Sequence, residues 1–326
     1  MIDLSSNESY FAPSERIIKE VTSELCNINL YVDSSKISEL RKSVAKYCGI
    51  REERIVIGPG TDWINKEIIS RFGSGKDIVL LNPSFSKSLL SAKYISRRIM
   101  KIQLVPPDFQ ISWTGCMKDS CLIFIDSPNN PTGQCLIEEQ QLVELLENEN
   151  HLVIIDEAGF EYSGKTFINL VEQYDNLAIT RTFDKAFGLA GFRISWLVAG
   201  DRFLKRLKPE DSLISRLGCL AAIVALEEKE HMKKNVEIMF SERDFLRNSL
   251  IKLGIRVFDS EANYLLISTD IDDFALKLRE SGILIEDLSK TWMKGFSRIT
   301  VGTRQENLAF IKAIQNQVDV EKNSMW

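Results

Sequence analysis

NLAITRTFDKAFGLAGFRISWLVA, residues 176–199, opens and closes on short apolar runs and holds a lysine between them. NLAIT and SWLVA are too short for helices and rich in Ile, Leu and Val, so each reads as a buried strand. Lys185 lies between them among small and apolar residues, with Thr182 three positions before it and Arg193 eight after. A lysine in an apolar setting is costly unless it is uncharged, paired or used covalently. The plainer reading is a loop lysine whose stem lies on apolar surface while its ammonium reaches water.

The pattern extends upstream. IVLL (78–81), CLIFI (121–125) and HLVII (151–155) read as further buried strands. Between them EEQQLVELLENE (138–149) puts Leu142, Val143, Leu145 and Leu146 on one helical face. This alternation implies an α/β fold, with a large domain whose mostly parallel sheet lies between helices. Ligands of such sheets gather at the carboxyl ends of the strands. The residues after three runs are DSPNNPTG, DEAG and RTFDK, which bring Asn130, Asp156 and Lys185 to one crevice. The C-terminal part reads as a smaller α/β domain, with a charged amphipathic helix over about 230–253, ANYLLIS (262–268), a helix FALKLRESG (274–282) and SRITVG (297–302). The expected division is 30–229 for the large domain and 1–29 with 230–326 for the small one.

The bulk composition narrows the function. Of 326 residues, 44% are hydrophobic and 27% charged, and the net charge is −5, with both signs mixed along the chain. A nucleic acid or an anionic membrane is therefore not the expected main partner. Six scattered cysteines form no CxxC pair, and two histidines are too few for a His-rich metal site. Free thiols in a reducing cytoplasm are expected. MIDLSSNESY lacks the pattern of a secretory signal, and runs such as LAAIVAL (220–226) are too short to span a bilayer.

If Lys185 forms a Schiff base with an aldehyde cofactor, it must be able to lose its proton. Pyridoxal 5'-phosphate adds three demands. A carboxylate must hold the pyridine nitrogen protonated, and Asp156 at a strand end suits this. A donor must meet the phenolic oxygen, and Asn130 has an amide NH₂. The phosphate needs a helix N-terminus and charge-assisted donors. IGPGTDWINKEIISRF (57–72) offers the amides of Thr61, Asp62 and Trp63, while Thr182 and Arg193 add a hydroxyl and a guanidinium. Singly these pieces are weak: NNPTG is also a plain turn, and GPGT binds any phosphate or none.

Together, in this order, they resemble the fold type I pyridoxal-phosphate enzymes, and within them the histidinol-phosphate aminotransferase group. The resemblance rests on LSSNESYFAPS (4–14), GPGTDWI (58–64), NPSF (82–85), DSPNNPTG (126–133), VIIDEA (153–158), TFDKAFGLAGFR (182–193), ANYLL (262–266) and SRITVGTRQEN (297–307). It implies that Lys185 is the Schiff-base lysine and proton shuttle, that Asp156 pairs with the pyridine nitrogen, and that Asn130 bonds the phenolic oxygen. Phe85 would stack on the ring. Tyr31 would cross a homodimer interface to the partner's cofactor phosphate. Arg298 would grip the substrate's anionic group. Arg304 also fits the pattern, with a surface or helix-end role as the competing reading.

The departures are specific. Gly159 replaces the tyrosine of DEAY and removes one hydrogen bond, about 1 kcal/mol, unless Tyr162 compensates. Asp184 replaces a serine, which is odd beside a phosphate unless it points away. Phe11 replaces a tyrosine hydroxyl that Tyr10 would have to restore. In ILIEDLS (283–289) Glu286 stands where the group often has a phosphate-binding arginine, unless it is merely solvated. The resemblance implies an aminotransferase that takes a small amino donor and a keto acid. The alternatives are a decarboxylase of the threonine-phosphate type and a catalytically dead binding protein on the same scaffold.

Overall fold

The runs CLIFI, HLVII and NLAIT become adjacent strands of one sheet. The computed structural model describes residues 1–84, 93–96, 98–113, 120–207, 211–289 and 291–324. Its strands are β1 (Ile2–Leu4), β2 (Ile55–Gly58), β3 (Asp77–Asn82), β4 (Arg98–Gln103), β5 (Cys121–Asp126), β6 (Leu152–Asp156), β7 (Leu177–Thr182), β8 (Ser195–Ala199), β9 (Arg256–Val257), β10 (Tyr264–Ser268), β11 (Ile283–Asp287) and β12 (Phe296–Thr300).

Seven of them form a sheet in the order β2-β8-β7-β6-β5-β3-β4. The neighbours from β7 to β4 run parallel, and β8 runs antiparallel to both β7 and β2. Alternate residues of each strand feed two cores. Ile123, Ile125, Val153, Ile155 and Ile179 face one side. Leu122, Phe124, Leu152, Ile154 and Ala178 face the other. Burial on both faces explains why these strands read as continuous apolar runs.

Helices cover both sides. Ile64, Ile68, Ile69 and Phe72 of the helix Thr61–Phe72 pack on the second face. On the first face lie Ile37, Leu40 and Val44 of the helix Ser34–Cys48, together with the helix Glu139–Glu147. In that last helix Leu142, Leu145 and Leu146 are buried and Val143 is half-buried, close to the sequence reading.

The second sheet has the order β1-β11-β12-β10-β9. Here β1 joins parallel to β11, with Ile2 opposite Ile283 and Leu4 opposite Ile285. Leu4, Leu265, Ile267, Ile285 and Ile299 form its core with Leu246, Phe274 and Phe310 from three helices. Among the described residues no helix is long and apolar enough to cross a membrane.

Just behind the carboxyl end of β6 lies a buried ion pair. Arg181 Nη2 stands 2.8 Å from Glu157 Oε2, with side-chain exposures of 2% and 1%. The same Nη2 donates to Thr166 Oγ1 at 2.7 Å, and the guanidinium stacks 3.5 Å above the Phe160 ring. Removing one member strands a buried charge, which costs about 3–5 kcal/mol. Arg181→Met should therefore lower the unfolding free energy in urea by that amount. Adding Glu157→Gln should restore most of it; a double variant as unstable as the single one would show that packing, not charge, holds this region.

Candidate active site

At the carboxyl ends of β5, β6 and β7 lies a crevice of about 680 Å³, and Asn130, Asp156 and Lys185 all line it. The three strand-end residues converge because the strands run parallel and in register.

Lys185 follows β7, and its Nζ donates to the Asn7 carbonyl at 2.9 Å and, more weakly, to Ser6 O at 3.5 Å. Burial pulls its pKa down to about 8; Arg298 and Arg193 push the same way, while Asp184 and Glu8 oppose them. A lysine in that range sheds its proton readily and serves as nucleophile or base. Asn7 is itself fixed. It sits at φ 53°, donates its N–H to Thr300 Oγ1 at 2.9 Å, and accepts on its carbonyl from Asn263 Nδ2 at 3.3 Å.

Asp156 ends β6, and its Oδ1 accepts from Ala158 N at 3.1 Å. Burial, followed by the neighbouring carboxylate of Asp126, raises its pKa to about 7. Asp126 is its register partner on β5. Asp126 also organises the turn after β5, accepting from Ser84 Oγ at 2.8 Å, Asn129 Nδ2 at 3.2 Å and Asn130 N at 2.8 Å. Asn130 Oδ1 accepts from Arg298 Nη1 at 2.6 Å, which orients the amide.

The other end of the crevice is a cup. The helix Thr61–Phe72 starts there after Gly60, at φ 94°. A Cβ on Gly60 would sit 2.6 Å from Arg193 Nη2, so only glycine lets the loop lie against that guanidinium. The first amides of the helix have no intrahelical acceptor, and helix N-termini of this kind favour anions. Thr61 and Asp62 line the crevice. The Trp63 side chain packs instead against the second core, so its part in the cup is its backbone. Thr182 Oγ1 accepts from Ser195 Oγ at 2.8 Å and from Asp184 N at 3.0 Å.

Asp184 does not point away. It lines the crevice and bonds Arg193 Nη1, because its backbone is tied to Thr182 and its side chain is 8% exposed. Arg193 Nη2 also lies 3.4 Å from Asp62 Oδ2.

Arg298 on β12 is 7% exposed and donates through Nη2 to Ser5 O, while its Nε is buried with no hydrogen-bond partner. Glu286 on β11 is its register partner and lines the same crevice, with Oε2 4.0 Å from Nη2. Glu286 thus lines the crevice while its side chain stays 37% exposed to solvent.

The expected replacements for lost hydroxyls are not made. Gly159 opens the short helix Phe160–Ser163, which turns Tyr162 into the core, where it is 7% exposed. Tyr162, Tyr10 and Phe11 line a separate small void, and the Tyr10 hydroxyl is buried without a partner. Pro128 packs on Gly159, where an added Cβ would meet its Cδ at 3.1 Å. Arg304 opens the helix Arg304–Ser324, and its Nε donates to both Glu242 oxygens at 3.0 Å. Its helix-end reading holds. Tyr31 is 83% exposed. Phe85 lies outside the described residues.

Sequence reasoning gave no role to Asn7, Asp126, Asn263 or Tyr264. Tyr264 donates its hydroxyl to Asn129 O at 2.9 Å and lies under Arg298. The only signal was their presence in the segments LSSNESY, DSPNNPTG and ANYLL.

The family model "Aminotransferase class I and II" matches residues 1–314. A histidinol-phosphate aminotransferase of Pyrococcus furiosus is 35% identical, covering 96% of this chain and 91% of that protein. One of Sulfurisphaera tokodaii is 33% identical over 94% of this chain and 87% of that protein. The crystal structure of the Sinorhizobium meliloti histidinol-phosphate aminotransferase in complex with pyridoxal-5'-phosphate superimposes with a TM-score of 0.85. It is 20% identical and covers 98% of this chain and 91% of that one.

The Asp156 carboxyl gives a pH signature. Its pKa rises from 3.8 in the free side chain to about 7 in the folded protein, so the folded state binds the extra proton between those values. That contribution to stability is complete below the lower value and is lost as pH rises through the upper one. In the cofactor-free protein, Asp156→Asn should raise Tm at neutral pH, and the gain should vanish towards pH ~4. A gain independent of pH would mean that Asp156 titrates normally.

Proposed function

The chain belongs to the class I and II aminotransferases and is a pyridoxal-phosphate-dependent aminotransferase, and we propose that its crevice serves an amino acid gripped through its carboxylate by Arg298 rather than a phosphorylated amine. The observation that carries this substrate reading is Glu286, which lines the crevice 4.0 Å from Arg298. A carboxylate there repels a phosphate dianion and favours a polar or cationic side chain. Transamination fits the named relatives better than decarboxylation does.

The residues present fit the cofactor. The lysine is depressed to about 8, Asp156 is raised to about 7 at a strand end, and a glycine-lined helix N-terminus faces Arg193. The cofactor supplies an aldehyde that condenses with amines and a ring that accepts electrons. Lys185 would hold it covalently, and Asp156 would keep its ring nitrogen protonated. Asn130 would donate its NH₂ to the phenolic oxygen. The amides of Thr61, Asp62 and Trp63, with Thr182 and Arg193, would hold the phosphate, and Phe85 would cover the ring. Arg298, which lines the crevice, would take the substrate carboxylate through its guanidinium. Lys185 Nζ, in its neutral form, would be the group that holds and moves the substrate's α-proton.

The same proposal includes a homodimer in which Tyr31 reaches the partner's phosphate cup. Tyr31 and its neighbours Leu25, Ile28 and Leu30 are 83%, 48%, 64% and 54% exposed, an apolar stretch that suits an interface. It also divides the chain into 30–229 and 1–29 with 230–326, and places the protein in the cytoplasm, where the absence of disulfides among its described cysteines suits a reducing compartment.

The first test is the absorbance of the loaded protein before and after an amino donor is added without a keto acid. Carboxylate-bearing amino acids should convert the cofactor to its amine form, and histidinol phosphate should not; conversion by histidinol phosphate at low concentration would overturn the substrate reading. Glu286→Arg should improve the affinity for histidinol phosphate about tenfold, ~1.4 kcal/mol. Unchanged affinity would remove Glu286 from the argument. Lys185→Ala should bring turnover to background, and substantial residual transamination would sink the role of the lysine.

A further inference from the structure

The phosphate cup carries more negative charge than an anion site needs. Arg193 has two carboxylates on it, Asp184 through Nη1 and Asp62 through Nη2 at 3.4 Å. Each carboxylate keeps one oxygen, Oδ1, buried and without a hydrogen-bond partner. Asp184 is 5% exposed, and its amide is pinned to Thr182 Oγ1, which is pinned in turn by Ser195 Oγ. Asp184 therefore stays in the cup. Arg193 lies against Gly60, which leaves no room for a Cβ beside it, and its side chain is 47% exposed on the other side.

A phosphate monoester brings a charge of about −2. It would meet two carboxylates against one guanidinium and one helix N-terminus, once Lys185 is engaged covalently. Such a cup relaxes most cheaply by neutralising its most desolvated anion. That anion is Asp184, with a side-chain exposure of 8% against 41% for Asp62. A protonated Asp184 also has an O–H to donate, once the carboxyl turns from Arg193 toward the crevice that it lines.

Resting on the reading of this cup as the cofactor-phosphate site, we propose that Asp184 is a titrating member of it. Asp184 holds Arg193 as a carboxylate before the phosphate arrives and takes up one proton as the phosphate binds, donating it as a hydrogen bond to a phosphate oxygen. The groups that face Asp184 are Arg193, Lys185 and Thr182, with Asp62 across from the helix Thr61–Phe72. Burial already pushes the Asp184 carboxyl up from its ordinary value, against the pull of Arg193 and Lys185, and Asp62 adds to the rise. The proton comes from solvent, and no bond other than the O–H is made or broken.

The test is calorimetric titration of the cofactor-free protein at neutral pH, in two buffers of different ionisation enthalpy. The ligands are pyridoxal phosphate and pyridoxal, which shares the ring and aldehyde but lacks the phosphate. Protons exchanged at Lys185 and Asp156 are common to both ligands and cancel in the difference. The phosphate-bearing ligand should take up about one proton more per site than pyridoxal, and its affinity should fall by up to about tenfold per pH unit as pH rises. In Asp184→Asn the excess uptake should disappear; Asp184→Ser is the second variant should the first not fold. Equal uptake for the two ligands in the unaltered protein would overturn the proposal. So would excess uptake that persists in Asp184→Asn, which would put the proton on the phosphate itself. Binding of neither ligand would overturn the cofactor reading and this inference with it, an outcome visible before any proton is counted.

Discussion

One contact ties the site to the rest of the molecule: the ammonium of Lys185 on the backbone carbonyl of Asn7. Lys185 follows a strand of the seven-stranded sheet, while Asn7 belongs to a segment that begins in the five-stranded one. The carbonyl is useful because it is a weak partner. A carboxylate in its place would hold the lysine charged, whereas a carbonyl stabilises the ammonium only modestly and leaves burial to depress its pKa. Thr300 and Asn263 hold Asn7 on the far side, so the reach of the lysine is set by the second sheet.

The crevice is unusual in its balance of charge. Asp126 and Asp156 stand side by side at its floor, Asp184 and Asp62 flank Arg193, and Glu286 faces Arg298. Both arginines of the site already have a carboxylate near them. A ligand charge at either arginine therefore competes with an existing ion pair instead of meeting a free cation.

The fold was legible because β5, β6 and β7 are buried on both faces and so read as unbroken apolar runs ending in polar residues. The convergence of Asn130, Asp156 and Lys185 followed from the geometry of parallel strands. What could not be read depends on side-chain direction and on pairing across the chain. No local pattern says that Asn7 will meet Lys185, 178 positions away. Asp184 looked misplaced beside a phosphate, yet its tie to Thr182 turns it into the cup. Tyr162 looked able to replace a missing hydroxyl, but the helix opened by Gly159 carries it into the core. A motif gives the identity and order of residues; rotamer and register decide which of them share a space.

The pairing of β1 with β11 carries a consequence for how the protein is made. Ile2 lies beside Ile283, so nearly the whole chain is enclosed in one loop. Closing a loop of that length is slow, and its entropy cost must be met before the contacts that reward it. During synthesis the large sheet has all its strands by residue 199, while the carbonyls that receive Lys185 have no β11 to anchor them until the residues after 283 emerge. Lys185 is thus present long before its partners are in place, and the assembled crevice is among the last features the chain acquires.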